Sequence, residues 1–320
     1  FHYWSDPGMW GDGILVKSKP IARFLAWFLS LVNAAFTFQL IESIAITSGD
    51  AHNPHKTLPR AIKTLFFRIL FFYIVTLFLL GLLIPYNDPR LLRGGDAGDS
   101  NEYVNLLPFV IALSSQSPYW ASIFDFVILI TIVLAANSNI YLGSRCLLAL
   151  SETNVISKYF QHTSKSGIPY RCVLLTSSFG ICALSVKVLL AAVVFTWMLN
   201  VCASAGLIMW ACICFSHIRF MKAAAKIEGF SRENLHFKGS FMPYAANYGL
   251  GCIVVILLFT GFPVFFKFSV AEFLSSYLSL IIFTVVWASF QYVNNEPLLI
   301  SIDKIDIWSG STCENFYRYI

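Results

Sequence analysis

Apolar and polar residues alternate along this chain in blocks, not in a helical stripe or a strand zigzag. Seven long apolar runs stand out, at about 24–47, 65–85, 120–150, 171–190, 194–216, 245–266 and 269–293. Each is long enough to cross the roughly 30 Å hydrocarbon layer as a helix, and far longer than the about 10 residues of a barrel strand. The pattern predicts an all-α polytopic membrane protein with seven transmembrane helices. Between the runs lie an opening polar-aromatic loop (1–23), a polar exit (48–63), a hydrophilic loop (86–118), a basic loop (216–243) and a polar tail (294–320). Pro54 and Pro59 are expected to prevent a regular helix through the polar exit.

Composition agrees with this reading. Hydrophobic residues make up 57% of the 320 residues and charged ones only 12%, against about 25% in a soluble domain. The net charge of +5 then marks loops at one membrane face, not a nucleic-acid surface. With 48–68 inside, the inner segments hold 15 Lys and Arg and the outer ones 7. This places the start of the chain outside and its end in the cytoplasm. The eight cysteines mostly sit in or beside apolar runs, where they read as small hydrophobes, not ligands or disulfide partners. The chain opens on Phe1 and lacks a signal-peptide pattern, which reads as an interior start.

A few polar residues interrupt the runs. Glu42 lies in the first, among Phe38, Ile41 and Ile44. A carboxylate there is costly, so it either faces a polar cavity and binds a cation, a proton or a substrate amine, or snorkels to the interface. Asn137, Ser138 and Asn139 stand mid-run in the third, where they line a pathway or tie helices together. Asn200, Cys202, Ser204 and Gly206 mark the fifth as a close-packing helix. Asp125 and Glu272 lie near run ends, as interfacial residues do. No nucleophile–base set, phosphate loop, dinucleotide fingerprint or metal-ligand spacing occurs, so the chain does not read as an enzyme.

Longer motifs carry a family likeness. Asn33-Ala34-Ala35-Phe36-Thr37-Phe38-Gln39, Asn53-Pro54-His55-Lys56-Thr57-Leu58-Pro59-Arg60, Ala135-Ala136-Asn137-Ser138-Asn139-Ile140-Tyr141, Ser144-Arg145, Gly167-Ile168-Pro169-Tyr170 and Trp197-Met198-Leu199-Asn200 fall in order along nearly the whole chain. Together they resemble the fungal amino-acid permeases of the amino acid–polyamine–organocation superfamily. The opening Tyr3-Trp4-Ser5-Asp6-Pro7-Gly8 and the run Asn139–Arg145 look most like the lysine/arginine permeases.

The resemblance implies the inverted-repeat, LeuT-like permease fold, with this chain holding helices 6–12. Residues 1–293 would be a partial permease domain and 294–320 a cytoplasmic tail. It implies plasma-membrane import of amino acids, cationic ones in particular, by proton symport, with no cofactor beyond the proton gradient. The partners would be the amino acid substrate and the lipid bilayer. Thr37, Phe38, Gln39 and Glu42, with Asn137, Asn139 and Cys202, would form the substrate site, and Glu42 would couple the proton. One departure is plain: the family's Gly-Thr before the glutamate is Leu40-Ile41 here. Glycine permits an unwound backbone and isoleucine is stiff, so the change weighs against a helix break. That departure, with the absent first five helices, also fits a truncated, non-transporting remnant or a sensor-like relative.

Overall fold

A computed structural model describes residues 2–8, 11, 17–39, 41–47, 54–88, 118–181, 191–227, 239, 241–266, 268–295, 297 and 299–305. The helices are α1 (Lys19–Thr37), α2 (Ser43–Ile46), α3 (Pro54–Leu83), α4 (Pro118–Glu152), α5 (Tyr170–Ser178), α6 (Ala191–Ala224), α7 (Tyr244–Phe259), α8 (Pro263–Phe266) and α9 (Val270–Asn294). The described residues hold helices and turns and no strand. Among the described residues, five stretches are long and apolar enough to cross a membrane: Lys56–Leu83, Ser122–Glu152, Trp197–Ala224, Tyr244–Phe266 and Val270–Asn294. The chain is an all-helical polytopic membrane protein.

Prolines set many of the helix starts. Pro54, Pro118 and Pro263 are first residues of helices, while Pro169 and Pro243 sit one residue ahead. Proline suits those places because its fixed φ is already helical and its missing N–H has no partner to lose. This corrects one expectation: α3 begins at Pro54 and runs through Pro59. Pro59 removes one rung of the ladder within the first turn and a half, where the apolar run that follows outweighs the loss. Residues 48–53 of the polar exit lie outside the described residues.

The first apolar run is corrected too. It was expected as one span over 24–47. Instead α1 stops at Thr37, turns occupy positions 38, 39, 41 and 42, and α2 restarts at Ser43. The helix breaks although Leu40-Ile41 replaces the flexible pair. Of the fourth run, α5 covers Tyr170–Ser178, and 182–190 lie outside the described residues. The remaining runs match α3, α4, α6, α7–α8 and α9 closely.

The chain forms two compact units. The first comprises Phe1–Gly13 and Leu40–Thr196. Here α4, about 52 Å long, packs on α5 and on the 3₁₀ turn Lys158–Gln161, and α2 touches both α3 and α4. Gly143 lets α5 come close: a Cβ there would lie 2.8 Å from Thr176 Cγ2. Three contacts tie the connection after α4 to the helices on either side. Gln161 Nε2 donates to the Ser151 carbonyl, Arg171 donates to the Tyr159 carbonyl at 2.9 Å, and the Arg171 guanidinium covers the Tyr159 ring at 4.1 Å. The opening segment is anchored as well, since the Trp4 indole donates to the Gly81 carbonyl at 2.9 Å.

The second unit comprises Ile14–Gln39 and Trp197–Ile320. Its core is Leu207, Ile208 and Leu257, with Ala35, Ile253 and Leu280 packed against them, so α1, α6, α7 and α9 share one apolar centre. Aromatic edges add to it: Phe28 meets Phe259 and Phe262 at 6.2 and 5.9 Å. Lipid gives apolar side chains no reason to leave it, so polar ties and small residues hold such helices together. Asn200 Nδ2 donates to Ser275 Oγ at 3.3 Å, and Ser279 Oγ donates to the Val201 carbonyl at 2.7 Å. Ser275 and Ser279 are both buried and stand four residues apart on one face of α9. Ser279→Ala keeps the side chain small but removes the donor. It is expected to destabilise the protein in detergent by about 0.6–1.7 kcal/mol, read as a lower unfolding temperature. An unchanged midpoint would remove this tie from the α6–α9 interface.

Candidate functional site

The expected site residues fall in both units and are described within each. Thr37 is the last helical residue of α1, and Phe38 and Gln39 form the first turn beyond it. Glu42 stands at the N-cap position of α2 with helical φ −65 and ψ −16, and its carboxylate does not cap that helix.

Within the second unit, Gln39 is the best-defined of the expected residues. Its Nε2 donates to the Cys202 carbonyl at 3.0 Å and the Ala203 carbonyl at 2.9 Å. Gly206 makes room for this, because a Cβ there would overlap the Gln39 carboxamide. Cys202 therefore enters through its backbone oxygen, and its thiol side is exposed. Gly206 was legible as a packing residue, but its partner was not. Ser204 is buried to 3% exposure, and its hydroxyl has no hydrogen-bond partner among the described residues.

Within the first unit, Asn137 lines a cavity of about 590 Å³. Ser43 of α2 and Thr47 just after it form one wall; Asn137, Tyr141, Ser144 and Arg145 of α4 form another. Spacings of three and four residues put the α4 set on one face of the helix. Asn139 is exposed and is not part of that lining. Two residues of helix turn it about 200° from Asn137, so the pair does not share one surface. Sequence reading singled out the amides by adjacency. It passed over Ser43, Thr47, Tyr141 and Arg145 as cavity residues, although their spacing along each helix carried the signal.

At the far end of α6 the tail folds back within the second unit. Arg219 donates to the Ile300 carbonyl, and Lys226 Nζ meets Asp303 Oδ1 at 2.6 Å. The hydrogen bond and charge of Lys226 hold the Asp303 carboxyl below its ordinary range. A depressed carboxylate contributes above its unfolded pKa, and that contribution is lost as pH falls through the folded value. Both groups are well exposed, at 56% and 72%, so salt screens the pair. Lys226→Ala is expected to raise protease cleavage of the tail only a few-fold. Strong acid should have the same effect on the unaltered protein. Cleavage indifferent to both would remove the clasp.

The family comparison fits this geometry. The sequence profile of the family described as "Amino acid permease" matches residues 1–299. The chain is 44% identical over 308 residues to a lysine-specific permease of Saccharomyces cerevisiae, covering 96% of this chain and 49% of that protein. It is 43% identical over 309 residues to a basic amino-acid permease of the same yeast, covering 96% and 53%. It is 40% identical over 321 residues to a lysine/arginine permease of Candida albicans, covering 97% and 54%. The chain thus spans about half the length of the curated relatives it matches. No solved structure matches it. These relatives are transporters, not enzymes, and the chain belongs to the amino acid permease family.

Proposed function

We propose that this chain is part of a proton-coupled importer of cationic amino acids, lysine and arginine above all, in the plasma membrane. The observation that carries the reading is the break at Phe38–Glu42, which sets a carboxylate at the edge of a membrane-length apolar segment. A broken helix presents backbone groups to a ligand, and a half-buried acid beside it can trade a proton for a substrate cation. Names of relatives at 40–44% identity support the substrate class.

In this reading, residues 1–293 form seven spans that correspond to helices 6–12 of the inverted-repeat fold. The start of the chain lies outside, and residues 294–320 form a cytoplasmic tail. Thr37, Phe38 and Gln39 contribute the substrate-facing turn, Asn137 and Asn139 the α4 contribution, and Cys202 the α6 contribution. Glu42 carries the coupling proton.

The test is uptake of labelled lysine by the natural protein in yeast cells without their own basic amino-acid permeases. Unlabelled arginine is expected to compete, leucine is not, and a protonophore should abolish accumulation. Competition by neutral amino acids at equal strength would overturn the cationic assignment. Accumulation that survives the protonophore would overturn proton coupling. Membrane insertion without any uptake would favour a non-transporting relative.

A further inference from the structure

The second unit holds a smaller cavity, of about 300 Å³, where α6 ends and α7 begins. His217, Ile218, Met221 and Lys222 form its α6 wall, and their spacing keeps them on one face of the helix. Met242, Pro243 and Asn247 close the other side. Two nitrogens of this lining have no partner among the described residues. His217 Nε2 is buried without a hydrogen bond, which is costly unless a ligand satisfies it. Lys222 is exposed and forms no ion pair. The neighbouring charges are engaged: Lys226 holds Asp303, and Arg219 holds the Ile300 carbonyl. Asn247 commits its own amide nitrogen to the Pro243 carbonyl at 3.1 Å. The rest of the lining is apolar and pliable, since methionine thioethers adapt to irregular shapes.

We infer that this cavity binds the head of an anionic phospholipid from the surrounding bilayer, with Lys222 as counter-charge and His217 as donor to the phosphate. The inference goes beyond transport and does not depend on what the protein carries. Depth argues for a lipid. The cavity lies where one membrane-length stretch, Trp197–Ala224, ends and the next, Tyr244–Phe266, begins. Tyr244 and Tyr248 stand well exposed at the start of α7, and tyrosines at the end of a span sit at headgroup level. A phosphodiester sets its oxygens on Lys222 and on the Nε2–H tautomer of His217, while the glycerol covers Ile218, Met221 and Met242. Free phosphate would leave that apolar lining bare. The volume is at the lower end of ligand cavities, enough for a head group whose acyl chains stay in the bilayer. Charge selects the lipid, because a zwitterionic head would bring its own cation towards Lys222. In the orientation proposed above the cavity opens on the cytoplasmic leaflet, whose surface carries the negative lipid charge.

The experiment titrates the full protein, purified in a neutral detergent, with short-chain phosphatidylglycerol, short-chain phosphatidylcholine and inorganic phosphate, and reads bound lipid by native mass spectrometry. The unaltered protein is expected to hold its tightest phosphatidylglycerol about fivefold more strongly than phosphatidylcholine, the effect of one cation at the head group. Lys222→Gln should reduce that preference to about twofold or less. Lys304→Gln, which removes an exposed cation outside the lining, should leave it unchanged. His217→Phe keeps a ring but no donor, so it should weaken both lipids about tenfold without altering their ratio. A preference ratio does not depend on how much protein is folded, so a merely structural role would leave it unchanged. A preference below about twofold in the unaltered protein overturns the inference. So does an equal loss from Lys222→Gln and Lys304→Gln, which would mean diffuse surface charge, or undiminished binding by His217→Phe. Displacement by inorganic phosphate at matching concentrations would make this a free-phosphate site and overturn it as well. None of these results bears on lysine uptake, so the transport reading stands or falls separately.

Discussion

Glu42→Gln is expected to lower proton-coupled lysine uptake by about 100-fold while leaving the protein folded and in the membrane. Glutamine has nearly the same shape and retains hydrogen-bonding capacity, but it cannot carry charge or pass a proton. The carboxylate does not cap α2, so the substitution removes no cap and should leave the helix start intact. In the proposed mechanism, it removes the charge that a cationic substrate or proton would meet just after the turn that follows α1. A charge-assisted hydrogen bond left unmade costs up to about 3 kcal/mol, and each 1.36 kcal/mol is about tenfold in rate. Initial uptake rates, normalised to protein at the cell surface, are the measurement. They should be compared at acidic and neutral external pH, because a coupling group sets the pH response as well as the rate. Uptake equal to that of the unaltered protein would take Glu42 out of the mechanism. Loss of rate with an unchanged pH response would assign it to substrate binding alone.

The spans were legible because length and polarity decide them. A block of apolar residues such as Phe66–Leu83 or Ile253–Phe259 has only one way to satisfy its backbone in lipid. The broad class needed no tertiary information, but the prolines were misjudged: Pro54 and Pro59 were expected to prevent a helix, and α3 starts at the first and runs through the second. The break after Thr37 was not legible in this way. Leu40 and Ile41 favour continuation by propensity, yet the backbone turns at positions 38, 39, 41 and 42. One observed constraint is long-range: the Gln39 carboxamide is committed to carbonyls 163 and 164 residues further along. A contact at that separation leaves no periodicity for a sequence reading to find.

The cavity shows a second kind of omission. Asn137 and Asn139 drew notice as adjacent amides, but a helix sends neighbours two apart in nearly opposite directions. The α4 residues that share the cavity with Asn137 are instead Tyr141, Ser144 and Arg145, three and four positions apart along the helix. Ser43, in the four-residue α2, and Thr47, its C-cap, complete it, and α2 is a separate helix only because the preceding helix breaks. Recognising the cavity from sequence would have required knowing the break first.

The same break makes Gly206 a severe test of the site. Gly206→Ala is expected to destabilise the protein by about 2–5 kcal/mol, although alanine is the better helix former by about 1 kcal/mol. The reason lies across the unit: the added Cβ would overlap the Gln39 carboxamide, with Gln39 Cδ only 2.6 Å away. Gln39 would have to withdraw from the Cys202 and Ala203 carbonyls, losing hydrogen bonds of about 1 kcal/mol each, and α1 would have to shift against the overpacked contact at about 1–3 kcal/mol more. Gln39→Ala alone should cost less, about 1–2 kcal/mol, because it removes the donor and leaves space behind. The double variant separates this account from a generic intolerance of position 206. With Gln39 truncated, the methyl at 206 has nothing to strike, so adding Gly206→Ala should cost nothing further. Thermal unfolding of the four proteins in detergent gives the coupling, expected at about 2 kcal/mol or more between the two sites. Additive shifts would mean that Gln39 is not what Gly206 makes room for, and the tie between the turn after α1 and the helix α6 would have to be abandoned.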